Sequence, residues 1–327
     1  MSTRTEYLAS IAETIKDYRH GEIAPPNADH LEKWVRQFEG GEQLAILGEV
    51  DSVLKKTYFS RDGVIRFLKA VLTHSDLTEN NPCAFWPNMG ILDIQIRGNS
   101  QRDMIKIFDE LLYQHCGVRV TNCGSNATTF VYLDEAIFTG SHVRNDLQKW
   151  IAERAPKTSH VHIVTLAFHE GKYYAEDQIQ KAAKAAGKVV KLQWWRCIQL
   201  EDRNKFINIS DVLRPTRLPE DVLVQTYAKG LKYQPTLRTP PHLGKNNIFS
   251  SEAGRDALEQ NFLKAGVRIR QMCPHLIEAQ RPLGFMSLEA LGFGTTIVTF
   301  RNCPNNAPLA FWAGNPWYPL FERKTNL

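Results

Sequence analysis

Hydrophobic residues recur at helical spacing through roughly the first 80 residues. Apolar positions three or four residues apart mark amphipathic helices. Such runs occupy residues 7–18, 31–38, 44–54 and 64–72. The pattern predicts a helical N-terminal segment over residues 1–82. This segment either forms a cap or partner-binding layer or extends the core of the following domain.

From residue 85 the pattern changes to short apolar strands that alternate with amphipathic helices. Predicted strands cover 90–96, 129–133, 161–168 and 189–195. Predicted helices cover 104–112, 143–151 and 176–186, the last closed by Gly187. Alternation of this kind is typical of α/β proteins. We therefore predict a core over residues 83–215 with a mostly parallel sheet and helices on both faces.

The C-terminal region, residues 216–327, has a third pattern. A helix is predicted over 252–265, and it is followed by a stretch rich in Arg, Asn, Pro, Gly and aromatic residues. We predict an α+β hood in which Asn305, Asn306 and Trp312 read a planar base through amide hydrogen bonds and stacking. The alternative is that the Asn- and Pro-rich segments are simple turns.

Composition and charge narrow the class of protein only mildly. The chain has 327 residues, 43% of them hydrophobic and 23% charged, and a net charge of +5. These values are typical of a globular protein, and the small positive charge leaves direct nucleic-acid binding open. The six cysteines lack CxxC spacing, which favours reduced thiols over a disulfide framework or a zinc site. No signal peptide or apolar run of membrane-spanning length is present, so we expect a cytoplasmic protein.

The candidate chemistry begins where an apolar strand leads into two acids. Asp134 and Glu135 follow residues 130–133, and Thr139, Gly140, Ser141 and His142 then precede a helix. Ligands collect at the carboxyl ends of parallel strands, and small residues at a helix N-terminus let amide groups converge on a phosphate. The arrangement suits a phosphorylated sugar, with its hydroxyls on the acids and its phosphate on the turn. The alternative is an acidic strand end that leads into an ordinary helix cap.

A second anion site is predicted at the end of the preceding strand, in Arg97, Gly98, Asn99 and Ser100. Ser100 and Asp103 have the spacing of a helix capping box. The free amide groups of that helix start and the Arg97 side chain suit an anionic ligand. Two anion sites on two strand ends of one sheet are expected to serve one ligand.

The segment 130–142 resembles the phosphoribosyl pyrophosphate motif of type I phosphoribosyltransferases, in which an apolar strand, two acids and a Thr-Gly turn follow one another. Asp134, Glu135, Thr139 and Gly140 match that motif. Two positions depart from it, because Phe138 stands where a small or acidic residue is usual and His142 where a threonine is usual. Together with the 281–284 and 302–308 segments, residues 85–323 resemble the PRTase-CE subfamily, which is associated with bacterial conflict and antiphage systems.

The resemblance implies a site, a cofactor and a cellular role. Asp134 and Glu135 would hold the ribose or a Mg²⁺ ion, residues 139–142 the 5-phosphate, and residues 97–100 the pyrophosphate, commonly on a loop with a non-proline cis peptide. The implied activity is pentosyl transfer from phosphoribosyl pyrophosphate or a related nucleotide. The implied setting is antiphage defence, in an oligomer or complex beside an ATPase or a retron. The residues themselves identify neither an acceptor nor a general base.

Two other functions remain open from the sequence. A catalytically inactive sensor would bind the phosphoribosyl ligand and signal to a partner protein, and the Phe138 and His142 departures favour it. A purely structural interaction protein would use the helical N-terminal segment as its binding surface. Turnover of the ligand separates the enzyme from both alternatives, and ligand-dependent stabilisation separates the sensor from the interaction protein.

Overall fold

A computed structural model describes residues 3–125 and 127–324 of the chain. The chain divides into two compact units. Unit 1 combines Met1–Arg61 with Leu200–Leu327, and unit 2 is Asp62–Gln199. Across the described residues, no helix is both long and apolar enough to cross a membrane.

Helices and strands alternate as expected in the middle of the chain. The helices are α1 (Arg4–Thr14), α2 (Ala28–Val35), α3 (Gln43–Thr57), α4 (Arg61–Leu72), α5 (Ser75–Thr78), α6 (Pro82–Phe85), α7 (Ser100–Cys116), α8 (Ser141–Glu153), α9 (Tyr173–Ala185), α10 (Val222–Lys229), α11 (Glu252–Met272) and α12 (Leu309–Trp312). The strands are β1 (Tyr58–Phe59), β2 (Gly90–Ile91), β3 (Thr129–Ile137), β4 (Thr158–His169), β5 (Val189–Leu200), β6 (Gln280–Arg281), β7 (Gly284–Phe285) and β8 (Val298–Thr299).

Unit 2 is built on a parallel sheet with the strand order β2-β3-β4-β5. The helices α7, α8 and α9 each follow one strand and lead into the next. The strands β3 and β4 pair in parallel over most of their length, with Tyr132 opposite Ile163 and Asp134 opposite Thr165. The predicted α/β class, a parallel sheet flanked by helices, is therefore confirmed.

The core of unit 2 explains why α8 lies on this sheet. Alternate residues of a strand face the same side, so Tyr132 shares a face with its neighbour Ile163 on β4. Both are fully buried in one apolar cluster with Leu147 and Trp150 of α8. The Trp150 ring meets that of Phe130 edge-on, with centroids 4.9 Å apart. The apolar stripe of α8 therefore packs on β3 and β4, and this fixes where α8 begins.

All four strands of the sheet differ from their predicted bounds, since β4 extends beyond 161–168 at both ends and β5 runs to Leu200 rather than to 195. The strand predicted over 90–96 ends at Ile91, with one further pairing bond from the Leu92 amide to Val131. Beyond it, the Gln101 side chain accepts the amide hydrogens of Ile94 and Gln95, so a side chain replaces the strand ladder. The strand predicted over 129–133 instead runs to Ile137, because its pairing with β4 continues past the two acids.

Unit 1 joins the two ends of the chain. The Trp34 indole donates to the Ala310 carbonyl, the Tyr18 hydroxyl donates to the Glu322 carbonyl, and β1 pairs with β8. The sequence division into 1–82, 83–215 and 216–327 separates these segments, whereas their contacts place both in one unit. Hydrophobic periodicity reports that a helix has a buried face, but not which distant segment covers it.

Three buried charges of unit 1, on Arg238, Arg255 and Glu259, are paired with each other. Glu259 on α11 accepts hydrogen bonds from Arg255 at 2.8 Å and from Arg238 at 3.0 Å. All three side chains are fully buried. Arg238 also lies 2.7 Å from the Glu252 carboxylate. A buried charge is tolerated where a partner and hydrogen bonds replace its hydration, as they do here.

Cys83 and Cys116 form a disulfide with an S–S distance of 2.05 Å. The expectation that all the thiols are reduced is therefore wrong for these two, while Cys123, Cys197, Cys273 and Cys303 are free thiols. The disulfide ties α6 to the end of α7, where Trp86 also packs against Phe108 with ring centroids 4.8 Å apart. The two cysteines are 33 residues apart, and no local sequence motif predicts that they pair. Tertiary packing brings them together.

Candidate functional site

The turn between β3 and α8 lies at the carboxyl edge of the unit 2 sheet. Gly140 is the N-cap of α8 and has a φ of +75°, in the left-handed region. A Cβ added there would lie 2.6 Å from the Ala175 Cβ of α9. Both the backbone angle and the packing therefore require glycine. The close approach observed is to α9, and the predicted approach to a phosphate stays a prediction.

Hydroxyl groups line this turn. The Thr139 and Ser141 hydroxyl oxygens are 3.0 Å apart, and the Ser141 amide donates to the Thr139 hydroxyl at 3.4 Å. Thr139 and His142 are exposed to solvent. No N-cap side chain bonds to the start of α8. The positive end of this helix therefore faces solvent with hydroxyl groups beside it, which is an arrangement that suits a phosphate.

The loop before α7 supplies the second predicted element. Arg97, Gly98 and Asn99 are exposed, and Gly98 has a φ of +88°. Among the described residues, Arg97 makes no hydrogen bond or ion pair, so its charge is available to a ligand. The cis peptides recorded in the described chain both precede prolines outside this loop. The non-proline cis peptide that the resemblance implied is therefore not present here.

Ser100 has a different role from the predicted one. The N-cap of α7 is Asn99, which makes no side-chain cap bond, and Ser100 is the first helical residue. The predicted capping box from Ser100 to Asp103 is therefore wrong. The Ser100 hydroxyl instead accepts from the side-chain Nε2 of Gln95 at 2.8 Å and bonds to the Asp134 carboxylate. Ser100 thus links the 97–100 loop to the acid on β3.

Asp134 is the centre of the site. Its side chain is only 6% exposed, and the Glu135 amide donates to it at 2.8 Å. Burial raises the pKa of Asp134 to about 7, although the Ser100 hydroxyl and the Glu135 amide favour the ionised form. The structure therefore brings together the strand acid and the start of α7, as expected. It also adds a carboxyl group that gains and loses a proton near neutral pH.

Glu135 occupies a different position from its neighbour. Both acids lie within β3, and successive strand residues point to opposite faces of a sheet. Asp134 is the acid that interacts with Ser100. Oxygen ligands of this type suit Mg²⁺, and ligation of one ion by both acids stays a prediction. Among the described residues, the three-residue group able to hold a metal is Cys83, His115 and Cys116, two of which form the disulfide.

Asp146 is a positioning residue near the site that the sequence alone did not reveal. It lies on α8, is buried, and accepts the Tyr132 hydroxyl at 2.8 Å and the Ile96 amide at 3.0 Å. It therefore fixes the 94–97 segment against α8 and β3. The sequence signal that could have identified Asp146 is its position on the apolar face of the helix, between Val143 and Leu147.

Lys172 is a second residue that the sequence did not reveal. Its Cα lies 3.5 Å from the position of an added Gly140 Cβ, so its backbone packs against the turn. Its ammonium group lies 3.3 Å from the Glu176 carboxylate and 3.8 Å from the centre of the Trp194 ring. Burial lowers the pKa of Lys172. These contacts hold the start of α9 beside the turn.

The residues predicted to read a base belong to unit 1, whereas Asp134 belongs to unit 2. Trp312 is 2% exposed, its indole donates to the Ala307 carbonyl at 2.8 Å, and Arg323 lies over its ring. Asn306 donates to the Phe285 carbonyl at 3.0 Å, and the Asn305 carbonyl accepts from the Phe285 amide. These contacts are internal to unit 1, and base reading stays a prediction.

The fold and the sheet-edge site define a class: an α/β protein of the phosphoribosyltransferase-like type. Comparison with known families agrees, because the family model PRTase-CE matches residues 31–323. The chain belongs to the PRTase-CE family. No curated protein and no solved structure matched it.

Proposed function

We propose that unit 2 binds phosphoribosyl pyrophosphate, or a related nucleotide, and catalyses transfer of its pentosyl group. One observation carries the proposal: the Ser100–Asp134 contact joins two sheet-edge loops, each of which opens a helix whose N-cap residue makes no side-chain cap bond. Phosphate groups at both ends of a ribose fit two such helix starts with an acid between them. Membership of the PRTase-CE family supports the same ligand.

In the proposed reaction the bond from the anomeric carbon to pyrophosphate breaks and pyrophosphate leaves with the electron pair. A nucleophilic acceptor then forms the new bond at that carbon, through an oxocarbenium-like state. Residues 97–100 hold the departing pyrophosphate, and residues 139–142 hold the 5-phosphate. Asp134 holds the ribose hydroxyls and, because its pKa lies near 7, is also suited to exchange a proton with the acceptor.

Magnesium remains part of the proposal as an ion that pyrophosphate carries with it. Asp134 is the acid suited to meet such an ion, since it faces the Ser100 side of the sheet. Its charge would offset the ion's charge close to the sugar. Glu135 remains the second proposed ligand of that ion.

Adjacent acids on opposite faces give a matched pair of variants. Asp134→Asn should abolish the stabilisation of the full chain by phosphoribosyl pyrophosphate with magnesium in a thermal melt. Glu135→Gln tests the second acid on its own, and we expect it to retain most of the stabilisation. An unchanged melting curve for the wild type at millimolar ligand would refute ligand binding altogether. Equal loss in both variants would overturn the assignment of Asp134 as the ribose acid.

A sensor that binds the same ligand without turnover is the second candidate. One contact favours it: the Phe138 ring packs against His169 with centroids 5.3 Å apart, at the position where the resembled motif has a small or acidic residue. Release of pyrophosphate from labelled phosphoribosyl pyrophosphate distinguishes the two. Binding without release, across a panel of nucleobase acceptors and water, would establish the sensor.

We further propose that the protein acts as an effector in antiphage defence, in a complex with an ATPase or a retron. Support comes from membership of the PRTase-CE family, which is associated with bacterial conflict systems. Phage challenge of cells expressing the wild type or Asp134→Asn tests this role. Equal plaque counts for the two would overturn it, and co-purification from the native host identifies the partner.

A further inference from the structure

Unit 1 contains a cavity of about 310 Å³ that none of the preceding roles uses. Its floor is formed by buried residues that include Leu213, Arg214, Leu283 and Leu291. Its mouth is formed by exposed side chains, among them Tyr233. The cavity therefore combines apolar walls with two charged groups, Arg214 and Glu289, and a few polar groups among apolar walls are the usual composition of a small-molecule site.

Arg214 is the unusual residue in this cavity. Its side chain is 8% exposed, and its Nη1 donates to the carbonyls of Leu213, Gly292 and Phe293 at 2.8–3.3 Å. Those bonds fix the guanidinium but do not neutralise its charge. Across residues 3–125 and 127–324, no carboxylate forms an ion pair with Arg214. A buried charge of this kind is costly unless something offsets it.

The neighbouring acids Asp202 and Glu259 favour the charged form of Arg214 but form no ion pair with it. Glu259 accepts the Arg214 backbone amide at 2.8 Å, but its carboxylate is occupied by Arg255 and Arg238. Glu289 lines the cavity and accepts the Lys232 amide at 3.2 Å. Burial has the larger effect and lowers the pKa of Arg214. Among the described residues, Arg214 is thus a buried cation without an ion-pair partner.

We propose that this cavity is a second ligand site that takes a small organic carboxylate with an apolar body, its carboxylate on Arg214 and its body against Leu283 and Leu291. Arginine presents donors in a planar fork that matches a carboxylate. The cavity volume restricts the body to about the size of a short acyl chain or one aromatic ring. This site is independent of the phosphoribosyl site, since every residue that lines it belongs to unit 1.

The test compares acids with their uncharged amides on the wild-type full chain. Calorimetric titrations use hexanoate and benzoate as probes, with hexanamide and benzamide as the matched neutral molecules. Each acid should bind at least roughly tenfold more tightly than its amide, because a hydrogen bond to a charged group is the stronger one. Equal affinities for acid and amide, or no binding of either acid at about 10 mM, would overturn the proposal.

Two variants locate the site. Arg214→Met should weaken acid binding by at least roughly tenfold, whereas Arg217→Met, an exposed arginine paired with Asp256 outside the cavity, should leave it unchanged. Ala290→Phe fills the cavity while keeping every charge, and it should abolish binding. Unchanged binding in Ala290→Phe places the probes elsewhere and refutes the site. If a variant fails to fold, the wild-type acid–amide comparison still decides. Phosphoribosyl pyrophosphate titrated into the same samples reports the other site separately.

Discussion

The helices that follow the sheet strands of unit 2 begin in a different way from four helices of unit 1. In unit 1 four helices have an N-cap side chain that bonds to the first turn, and those caps are Thr3, Asn27, Asp221 and Ser251. In unit 2 the three helices that follow sheet strands have no such bond, and their N-caps are Asn99, Gly140 and Lys172. In α7 and α8 a residue outside the helix accepts one first-turn amide, Gln95 that of Gln101 and Thr139 that of Ser141, and amide groups without such a partner remain available to water or an anion. The absence of N-cap bonds supports the proposal that the sheet edge of unit 2 is a binding surface.

The buried carboxylates of the two units have different kinds of partner. Glu259 in unit 1 is neutralised by two arginines, so it contributes to structure. Asp134 in unit 2 has a hydroxyl and an amide as partners, and its pKa is raised to about 7. A carboxyl group held in this way is suited to bind or to exchange protons. Variants at the two positions should therefore fail for different reasons.

The largest expected loss of stability is at Glu259, the carboxylate that two buried arginines share. Glu259→Gln leaves Arg238 and Arg255 buried without their shared negative charge, so it should lower the free energy of unfolding by about 3–5 kcal/mol. Urea unfolding measures this. Glu39→Gln breaks exposed ion pairs to Lys264 and Arg268 and should cost less than about 1 kcal/mol. If both variants cost the same, the buried pairs do not stabilise unit 1.

Sequence patterns predicted the long elements of both units but not their grouping. Each predicted core helix was found, because a period of 3.6 persists over several turns. The end of β2 was predicted five residues too late, since a side chain of α7, Gln101, replaces its ladder. The assembly of unit 1 from both chain ends depends on contacts such as Trp34 to Ala310, which no local pattern encodes.

The candidate site was predictable in its residues but not in their roles. The two acids and the Thr-Gly turn were visible as a motif, whereas the facing of Asp134 and Glu135 depends on β3 continuing to Ile137. Ser100 was expected to cap α7 and instead bonds to Asp134. The raised pKa of Asp134 is a consequence of burial, which a motif does not report.

The free energy of unfolding is expected to depend on pH through the buried Asp134 carboxyl. The pKa of Asp134 rises from 3.8 in the unfolded chain to about 7 in the fold. Between about pH 4 and 7 the folded state keeps a proton that the unfolded chain has lost, so stability from this group falls as the pH rises. The fall amounts to at most about 4 kcal/mol. Asp134→Asn cannot ionise and should not show it.

The measurement is the difference in unfolding free energy between wild type and Asp134→Asn at pH 5, 6, 7 and 8. Asp134→Asn should gain relative stability as the pH rises through this range. His162, whose pKa burial lowers to about 4, titrates in both proteins and cancels in the difference. A difference that does not change with pH would mean that Asp134 is ionised throughout.

Cysteines offer a third comparison between the units. Unit 2 closes a loop with the disulfide between Cys83 and Cys116, whereas Cys273 and Cys303 of unit 1 are buried thiols. Cys83→Ser should lower stability by about 2–4 kcal/mol, because the unfolded chain regains the entropy of the open loop. Cys197→Ser removes an exposed free thiol and serves as the control. Alkylation of the denatured protein should label four cysteines before reduction and six after it, and six before reduction would contradict the disulfide.

The smallest expected stability changes come from variants at two N-cap residues, and these variants test the comparison of helix starts directly. Ser251→Ala removes a side chain that accepts the Gly254 amide at 3.0 Å, so it should cost about 1 kcal/mol of stability. Asn99→Ala removes an N-cap side chain that makes no cap bond, so it should cost less than about 0.5 kcal/mol. The same Asn99→Ala change should weaken binding of phosphoribosyl pyrophosphate, since Asn99 lies in the loop proposed to hold pyrophosphate. Chemical unfolding and ligand titration on both variants give the four values. A large stability loss with unchanged ligand affinity in Asn99→Ala would mean that this helix start is closed by the chain in solution, and the contrast between the two units would not extend to ligand binding.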